Sequence, residues 1–402
     1  MACFPEDARK AAQPRLFALF LFLLPFPLLA QNIYSVTTAS GDESVGSLGA
    51  AVTGLNNSNL AGAITFNEGS PITLSQSLSP VSQSVSLQGG SVVIAGQNDA
   101  QAQFLFQQGV TQQVHYLTLE NNGGLGTGLD LSVTAAGWNL NPNDDLFLTG
   151  ATAPSTQASP GGANGQAGGI VQASLGVLTI GDNSLMQITA GAGGAVSDAF
   201  GVQDQGGDGG SVSLGFNSMD FEGSYLLVGA GNGGSVTNTN GSGNLGGDGG
   251  SVVVQGNNLT LGGAGGGFTA GNGGDTVDLG SGAPQGGQGG SVDLSINSSL
   301  AVSILGGASF TLQAGQGGAG VTGGAGGGAT LTAGLVSLSS NLIVQGGTGG
   351  SGVSLSGAGG NAYVSIGSFN QSSQFLNITH EFRKSKLNVR PDFATLFFCA
   401  SA

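Results

Sequence analysis

The stretch SVVVQGNNLTLGGAGGGFTAGNGG, Ser251–Gly274, holds three short apolar runs: Val252–Val254, Leu259–Leu261 and Phe268–Ala270. Gln-Gly-Asn-Asn separates the first two, and Gly-Gly-Ala-Gly-Gly-Gly the last two. Runs of this length, rich in Val, Leu and Thr and bounded by Gly and Asn, read as strands. A helix is excluded, because each Gly costs a helix about 1 kcal/mol relative to Ala. Three strands and three turns in so short a segment describe one coil of a parallel β-helix.

The flanking sequence repeats the unit. QGGDGGSVSL (Gln205–Leu214), LGGDGGSVVV (Leu245–Val254) and QGGQGGSVDL (Gln285–Leu294) follow one another at intervals of 40 residues. The residues that follow each glycine cluster are Ile170, Ala195, Ser211, Ser235, Ser251, Asp275 and Ser291, so steps of 24 or 25 alternate with steps of 16. Beyond Ser291 the spacing loosens, with clusters before Ala319, Gly328, Ser351 and Asn361. The clusters read as corners of the coil, where positive φ and close backbone approach favour glycine. Alternation along the strands puts Val212, Leu214, Val252, Val254, Val292 and Leu294 inside, and Ser213, Val253 and Asp293 outside. The shorter piece, Ser235–Gly250, is polar and reads as a loop off the coil; a second, cramped coil is the alternative. A layer of stacked glycine helices is the rival reading for 317–361, against which the interspersed Val-Leu runs speak.

The N-terminal third lacks the glycine ladder but carries the same short strands: Ile64–Phe66, Ile72–Leu74, Val85–Leu87, Val92–Ile94, Phe104–Phe106, Tyr116–Leu119 and Leu129–Val133. Ahead of them, Val45, Leu48, Val52 and Leu55 recur at helical spacing in Ser44–Ser58, which predicts a short helix capping the first coil. The expected organisation is a signal peptide over 1–30, an N-terminal cap over 31–60, β-helix coils over 61–165, glycine-rich coils over 166–366 and an atypical tail over 367–402. The leader assignment rests on Arg9, Lys10 and Arg15 before the apolar run Leu16–Leu29, which is short for a membrane span, and on Ala30 before Gln31. Leu28 departs from a small-residue cleavage pattern.

Charge narrows the function classes. The chain carries 7 Lys and Arg against 22 Asp and Glu. No Lys or Arg lies between Leu16 and Phe382. Such a body cannot neutralise phosphates, which excludes nucleic acid as a partner. It offers no lysine for a phosphate-binding loop, and in a chain with 79 Gly a G-x-G-x-x-G match carries no information. The two cysteines, Cys3 and Cys399, leave the body without a disulfide, which fits a bacterial exported protein.

The opening of the body, SVTTASGDESVGSLGAAVTGLNNS followed by AITF and SPITLSQSLSPVSQSVSLQGGSVVIAG, resembles the start of secreted right-handed β-helix proteins. Gly49 stands where their cap carries Arg. The glycine-rich body is similar to the passenger domains of autotransporters and filamentous-haemagglutinin-like adhesins. The resemblance covers about 31–366. It implies an all-β fold, a right-handed parallel β-helix with a short capping helix. It further implies export to the cell surface or outer membrane, a non-enzymatic role as a surface stalk, and a host or environmental surface or polysaccharide as partner. It also implies a C-terminal membrane barrel, which nothing in this sequence can form. HEFRKSKLNVRPDFATLFFCASA (His380–Ala402) instead breaks with the preceding composition, and reads either as a natural tail or as a frameshifted end.

Three places are candidates for chemistry. Asp144 and Asp145, with His115 as companion, would serve a carbohydrate-active hydrolase, whose chemistry needs two positioned carboxylates. The bland reading is a solvated turn and a strand histidine. Asp275 in AGNGGDTVD (Ala270–Asp278) approaches a calcium-binding turn repeat, but the other units carry Ser211, Ser235, Ser251 and Ser291 there. One Asp cannot supply six or more oxygens, so Asp275 reads as a corner residue. A lyase is excluded by the missing cationic base. No cofactor and no metal is expected, and no later segment is apolar for long enough to cross a membrane as a helix.

Overall fold

The structure is a computed structural model. It divides into Met1–Gln31, which lies outside the described residues together with the predicted leader, and Asn32–Ala402. The described residues are 32–69, 71–74, 78–96, 103–121, 131–157, 162–198, 203–221, 223–238, 243–263, 265–278, 283–304, 309–371, 376–379 and 397–399. A few side chains within the strands, those of His115 and Tyr116 among them, also lie outside them.

The body is a parallel β-helix. Among the described residues, twenty strands share one sheet. Each coil contributes a long strand and a short one, and each stacks in parallel on its counterpart in the next coil. Val212–Phe221 lies between Val171–Ile180 and Val252–Gly263, with Val212 facing Val171 and Val252. Tyr225–Gly229 lies between Leu185–Thr189 and Gly265–Thr269. The first two apolar runs of the repeat thus join into one long strand that turns a corner. The ladder skips one residue between Phe216 and Ser218, and the inward phase passes from Val212, Leu214 and Phe216 to Met219 and Phe221. Outside this corner Asn217, Asn257 and Asn297 stack, each amide donating to the Oδ1 of the one before at 2.8 and 3.1 Å.

The core is a set of stacked rows. Val212, Leu214, Val252, Val254, Val292 and Leu294 are all buried, while Ser213 is exposed and Val253 and Asp293 are partly so. Each buried Val or Leu contributes about 1.5–3 kcal/mol, and the rows repeat it at every level. At one glycine of the core, Gly256, a neighbouring ring fills the space. The Phe216 ring occupies the place of a β-carbon on Gly256. Phe268 and Phe310 meet edge to face at 5.0 Å across the level of Gly266, which faces Phe310.

The cap is the helix Leu48–Ser58. Ser47 is its N-cap and accepts a hydrogen bond from the Ala50 N–H at 3.1 Å; Asn59 ends it in the left-handed region at φ 53°. Leu48, Val52 and Leu55 face the core. Val45, expected on that face, precedes the helix and is 97% exposed. At the other end the coil ladder runs past residue 366, through Ala362–Gln371 and Leu376–Thr379. Phe397–Cys399 then pairs in parallel with Asn377–Thr379. Among the described residues no helix is long and apolar enough to cross a membrane.

The glycine clusters are not corners. They lie on excursions that leave the coil after the short strand and return before the next long strand. The Ser235–Gly250 piece carries the strand Val236–Asn238, which stacks in parallel between Val196–Asp198 and Thr276–Asp278 with Val236 buried, so the excursions form a ladder of their own. The cluster glycines are absent from the positive-φ positions. Close approach alone requires them.

Candidate functional site

The excursions pack into an array with its own hydrogen-bond rules. Each has an outgoing segment, such as Gly231–Gly234, and a returning one, such as Gly246–Gly250. Within one excursion the two run antiparallel: Gly250 N–H donates to Gly231 O and Gly247 N–H to Gly234 O, at 2.8 and 2.9 Å. The next outgoing segment then bonds to the returning one, Gly271 to Gly250 and Gly274 to Gly247, at 2.9 and 2.8 Å. One unbroken glycine ladder climbs from Gly169 through Gly191, Gly210, Gly231, Gly250, Gly271, Gly290, Gly315, Gly327 and Gly347 to Gly360.

The N–H groups sort with a period of three. Gly247 and Gly250 point across to the outgoing layer. Gly246 and Gly249 point to Gln285 and Gln288 of the next returning segment, at 2.9 and 2.8 Å. Asp248 and Ser251 point back to side chains of the previous coil, Asp208 Oδ1 and Ser211 Oγ, at 2.9 and 3.0 Å. Threefold periodicity is the signature of a polyproline II helix. The same three-residue pattern of N–H directions runs through 317–361, the stretch for which a glycine-helix layer is the rival reading. It begins well before residue 317, and it coexists with strands such as Ala329–Leu338 rather than replacing them.

The sequence-predicted acids fall into this scheme. Asp275 is exposed, its N–H donates to Ser235 Oγ at 3.4 Å, and its Oδ1 accepts from the Ala319 N–H at 2.7 Å. It is thus one rung of a side-chain ladder. Asn232, Asn272 and Gln316 form another: Asn272 and Gln316 N–H each donate to the Oδ1 of the residue before, both at 2.8 Å. On the opposite face Asp248 Oδ1 accepts from Gln288 at 2.7 Å, and Ser251 Oγ from Ser291 at 3.0 Å.

Asp144 and Asp145 sit in different surroundings. Asp144 is buried in the turn before a short strand, at the position taken by Ser184 and Ser224 in the next two coils. Its N–H donates to Ser184 Oγ at 3.2 Å, as Ser184 N–H does to Ser224 Oγ at 3.3 Å. Asp145 is half-buried, and its Oδ1 accepts the Leu185 N–H at 2.9 Å. The register pairs Tyr116 with Asp145, which places residue 115 on the coil adjacent to this turn; the His115 side chain lies outside the described residues. Beside the turn sits Gln112, which no motif or spacing singled out. It is fully buried, and its Nε2 donates to Asp145 O at 2.8 Å and Val114 O at 3.2 Å. The recurrence of Asp144, Ser184 and Ser224 at intervals of 40 residues was the available signal that this turn is a repeated structural position.

Asp204 and Asn244 are a further buried polar pair. Asp204 Oδ1 accepts from Ala163 N–H at 2.7 Å, and Asp204 N–H donates to Asn244 Oδ1 at 3.0 Å. Among the described residues no three or more His, Cys, Asp or Glu lie together in a way that could hold a metal ion. Chemically, the carboxylates placed by the fold serve as fixed acceptors for the backbone of the adjoining coil. No family model, no curated protein and no solved structure matches the chain.

Proposed function

We propose that this chain is an exported, non-enzymatic β-helix stalk of the adhesin or autotransporter-passenger kind, displayed on a bacterial surface. One observation supports this above the rest: the candidate acids are taken up in coil-to-coil hydrogen bonds, Asp145 to Leu185 and Asp275 to Ala319, instead of facing a common groove. A stalk needs what the repeat supplies, a body extended by identical rungs and a surface of small polar side chains. Its partner on this reading is a host or environmental surface or a polysaccharide. The hydrolase reading would need a second carboxylate aimed at the same space as Asp145, and Asp144 is buried.

The test is a pair of measurements on the full chain. Incubation with a panel of soluble polysaccharides should release no reducing ends above background, while beads coated with the protein should retain a surface or polysaccharide saturably. Hydrolysis abolished by Asp145→Asn would overturn the proposal. Protease shaving of intact cells that express the full gene should remove the β-helix; its protection inside the cell would reject surface display.

A further inference from the structure

We infer that the outer face of the short strands carries a binding trough for a neutral polysaccharide, built by Tyr225, Leu227, Gly265 and Gly267. The inference rests on the partner reading above and gives that partner a place. The short strands Asp145–Thr149, Leu185–Thr189, Tyr225–Gly229, Gly265–Thr269, Ser309–Gln313 and Asn341–Gln345 stack in one parallel ladder. Burial alternates along them, so the first, third and fifth residues of each face outward. The register sets these residues in rows. Asp145, Leu185, Tyr225 and Gly265 share the first row, and Phe147, Gln187, Leu227, Gly267, Thr311 and Ile343 the second.

At one level both rows lose their side chains. The first and third residues of the other five strands all carry one; in Gly265–Thr269 they are Gly265 and Gly267. The backbone there is laid bare between two walls, and Gly265, Gly266 and Gly267 are each partly open to solvent. Tyr225 and Leu227, 46% and 41% exposed, form one wall. Ser309 and Thr311, both partly exposed, form the other. The walls stand two levels apart, about 10 Å at the spacing of neighbouring strands.

The two walls differ in kind, and the difference selects the occupant. One offers an aromatic ring and an aliphatic side chain, the other two hydroxyls. A pyranose ring has the matching division: C–H groups on its faces and hydroxyls around its rim. Its face on the Tyr225 ring buries apolar area on both, while Ser309 and Thr311 meet the rim. Leu185, beside Tyr225 in its row, and Phe147, at the next level, carry the apolar wall onward, so the face has room for more than one ring of a chain. A peptide fits less well. The backbone of this face is spent in the coil-to-coil ladder, which leaves an added strand no main-chain donors to pair with. Charge narrows the choice further. Asp145 stands in the row of Tyr225 two levels away, and no Lys or Arg lies between Leu16 and Phe382, so an acidic polysaccharide meets repulsion and no counter-charge.

The test is affinity electrophoresis of the full chain through gels that contain dextran, amylose, mannan or β-glucan. At least one should retard the parent, with an affinity about tenfold or more weaker for Tyr225→Ala. Tyr225→Phe keeps the ring and should bind as the parent does. So should Tyr363→Ala, whose side chain is 43% exposed on the long strand Ala362–Gln371, away from the trough. All three variants should keep the circular dichroism spectrum of the parent, since both tyrosines face outward. Heparin and polygalacturonate should not retard the chain. Retardation by none of the four neutral polymers overturns the inference, as does equal retardation of the parent and Tyr225→Ala, or loss in Tyr363→Ala as well. Binding that ignores Tyr225→Ala refutes the trough and keeps a polysaccharide partner. Release of reducing ends by the full chain refutes the stalk and leaves the Tyr225 result standing.

Discussion

Gly271 shows why single atoms matter in the array. A β-carbon there would overlap the Gly231 carbonyl oxygen, and that neighbour is backbone held by its own hydrogen bonds. Gly271→Ala should therefore destabilise the chain by about 1–3 kcal/mol, the usual range for overpacking. Gly229, at the end of a short strand, has nothing within 4 Å of such a carbon. Gly229→Ala should be neutral or gain about 0.5 kcal/mol through the unfolded state. Urea denaturation of the two variants separates close approach from backbone freedom; equal effects would contradict this account. Phe216 and Gly256 form a complementary pair in the core, so Gly256→Ala should cost more in the parent than in Phe216→Ala, with a coupling of about 0.5–3 kcal/mol in a double-mutant cycle. Asp42 gives a pH signature. Hydrogen bonds from the Ser44 side chain, the Ser44 N–H and the Ser40 side chain hold its carboxyl below the usual carboxylate value. A carboxylate with a depressed folded value adds stability above its unfolded pKa, about 3.9, and loses it as pH falls through the folded value. Asp42→Asn should thus be less stable than the parent at neutral pH and equal to it in strong acid; a gap that persists in strong acid would contradict this.

At the scale of elements, the capping helix depends on a short polar contact more than on its length. Ser47 is fully buried, and its hydroxyl takes the Ala50 N–H and donates to Asp42 O. Ser47→Ala should cost about 1 kcal/mol, read as a lower thermal midpoint. Asp42→Asn in the same background should then add less than it does alone, because the two residues share one turn. The strands were legible because Val, Leu and Phe alternate with Ser, Thr and Asp, and burial follows that alternation residue by residue. The helix was legible from Leu48, Val52 and Leu55; Val45 misled because hydrophobic spacing does not mark where a helix starts, and Ser47 does. The glycine array was legible only as a period. Glycine has no side chain to show which way it faces, so the sequence could not tell a corner from a strand of a polyproline II layer. The candidate acids were legible only in part. Adjacent carboxylates in Asn-Asp-Asp-Leu look like a pair, and only alignment with Ser184 and Ser224 shows that Asp144 fills a repeated turn position.

At the scale of the whole molecule, no ion pair involving Lys or Arg contributes to the described body, which contains neither residue and many acids. Added sodium chloride has only like-charge repulsion to screen, so the urea midpoint should stay level or rise with salt; a clear fall would mean that attractive charge pairs had been missed. Stability must then come from stacked levels, each joined to its neighbours alone, as in other solenoids. That arrangement makes a specific demand on deletions. Val212 faces Val252 in the main sheet, Asp248 N–H meets Asp208 Oδ1 on the array, and both offsets are 40 residues. Removing 212–251 joins Ser211 to Val252, takes out one complete level of the sheet and the array, and restores every ladder in register. The product should fold, with an unchanged circular dichroism shape and a single, somewhat lower urea transition, because one set of inter-level contacts is lost. Removing 235–250 is a smaller change by length and should be far worse. It deletes the returning segment that Gly231 and Gly271 both need as a hydrogen-bond partner, and so leaves an unpaired gap within the array. If the short deletion proved as stable as the whole-coil one, the array would be a passenger on the β-helix and not part of what holds it together.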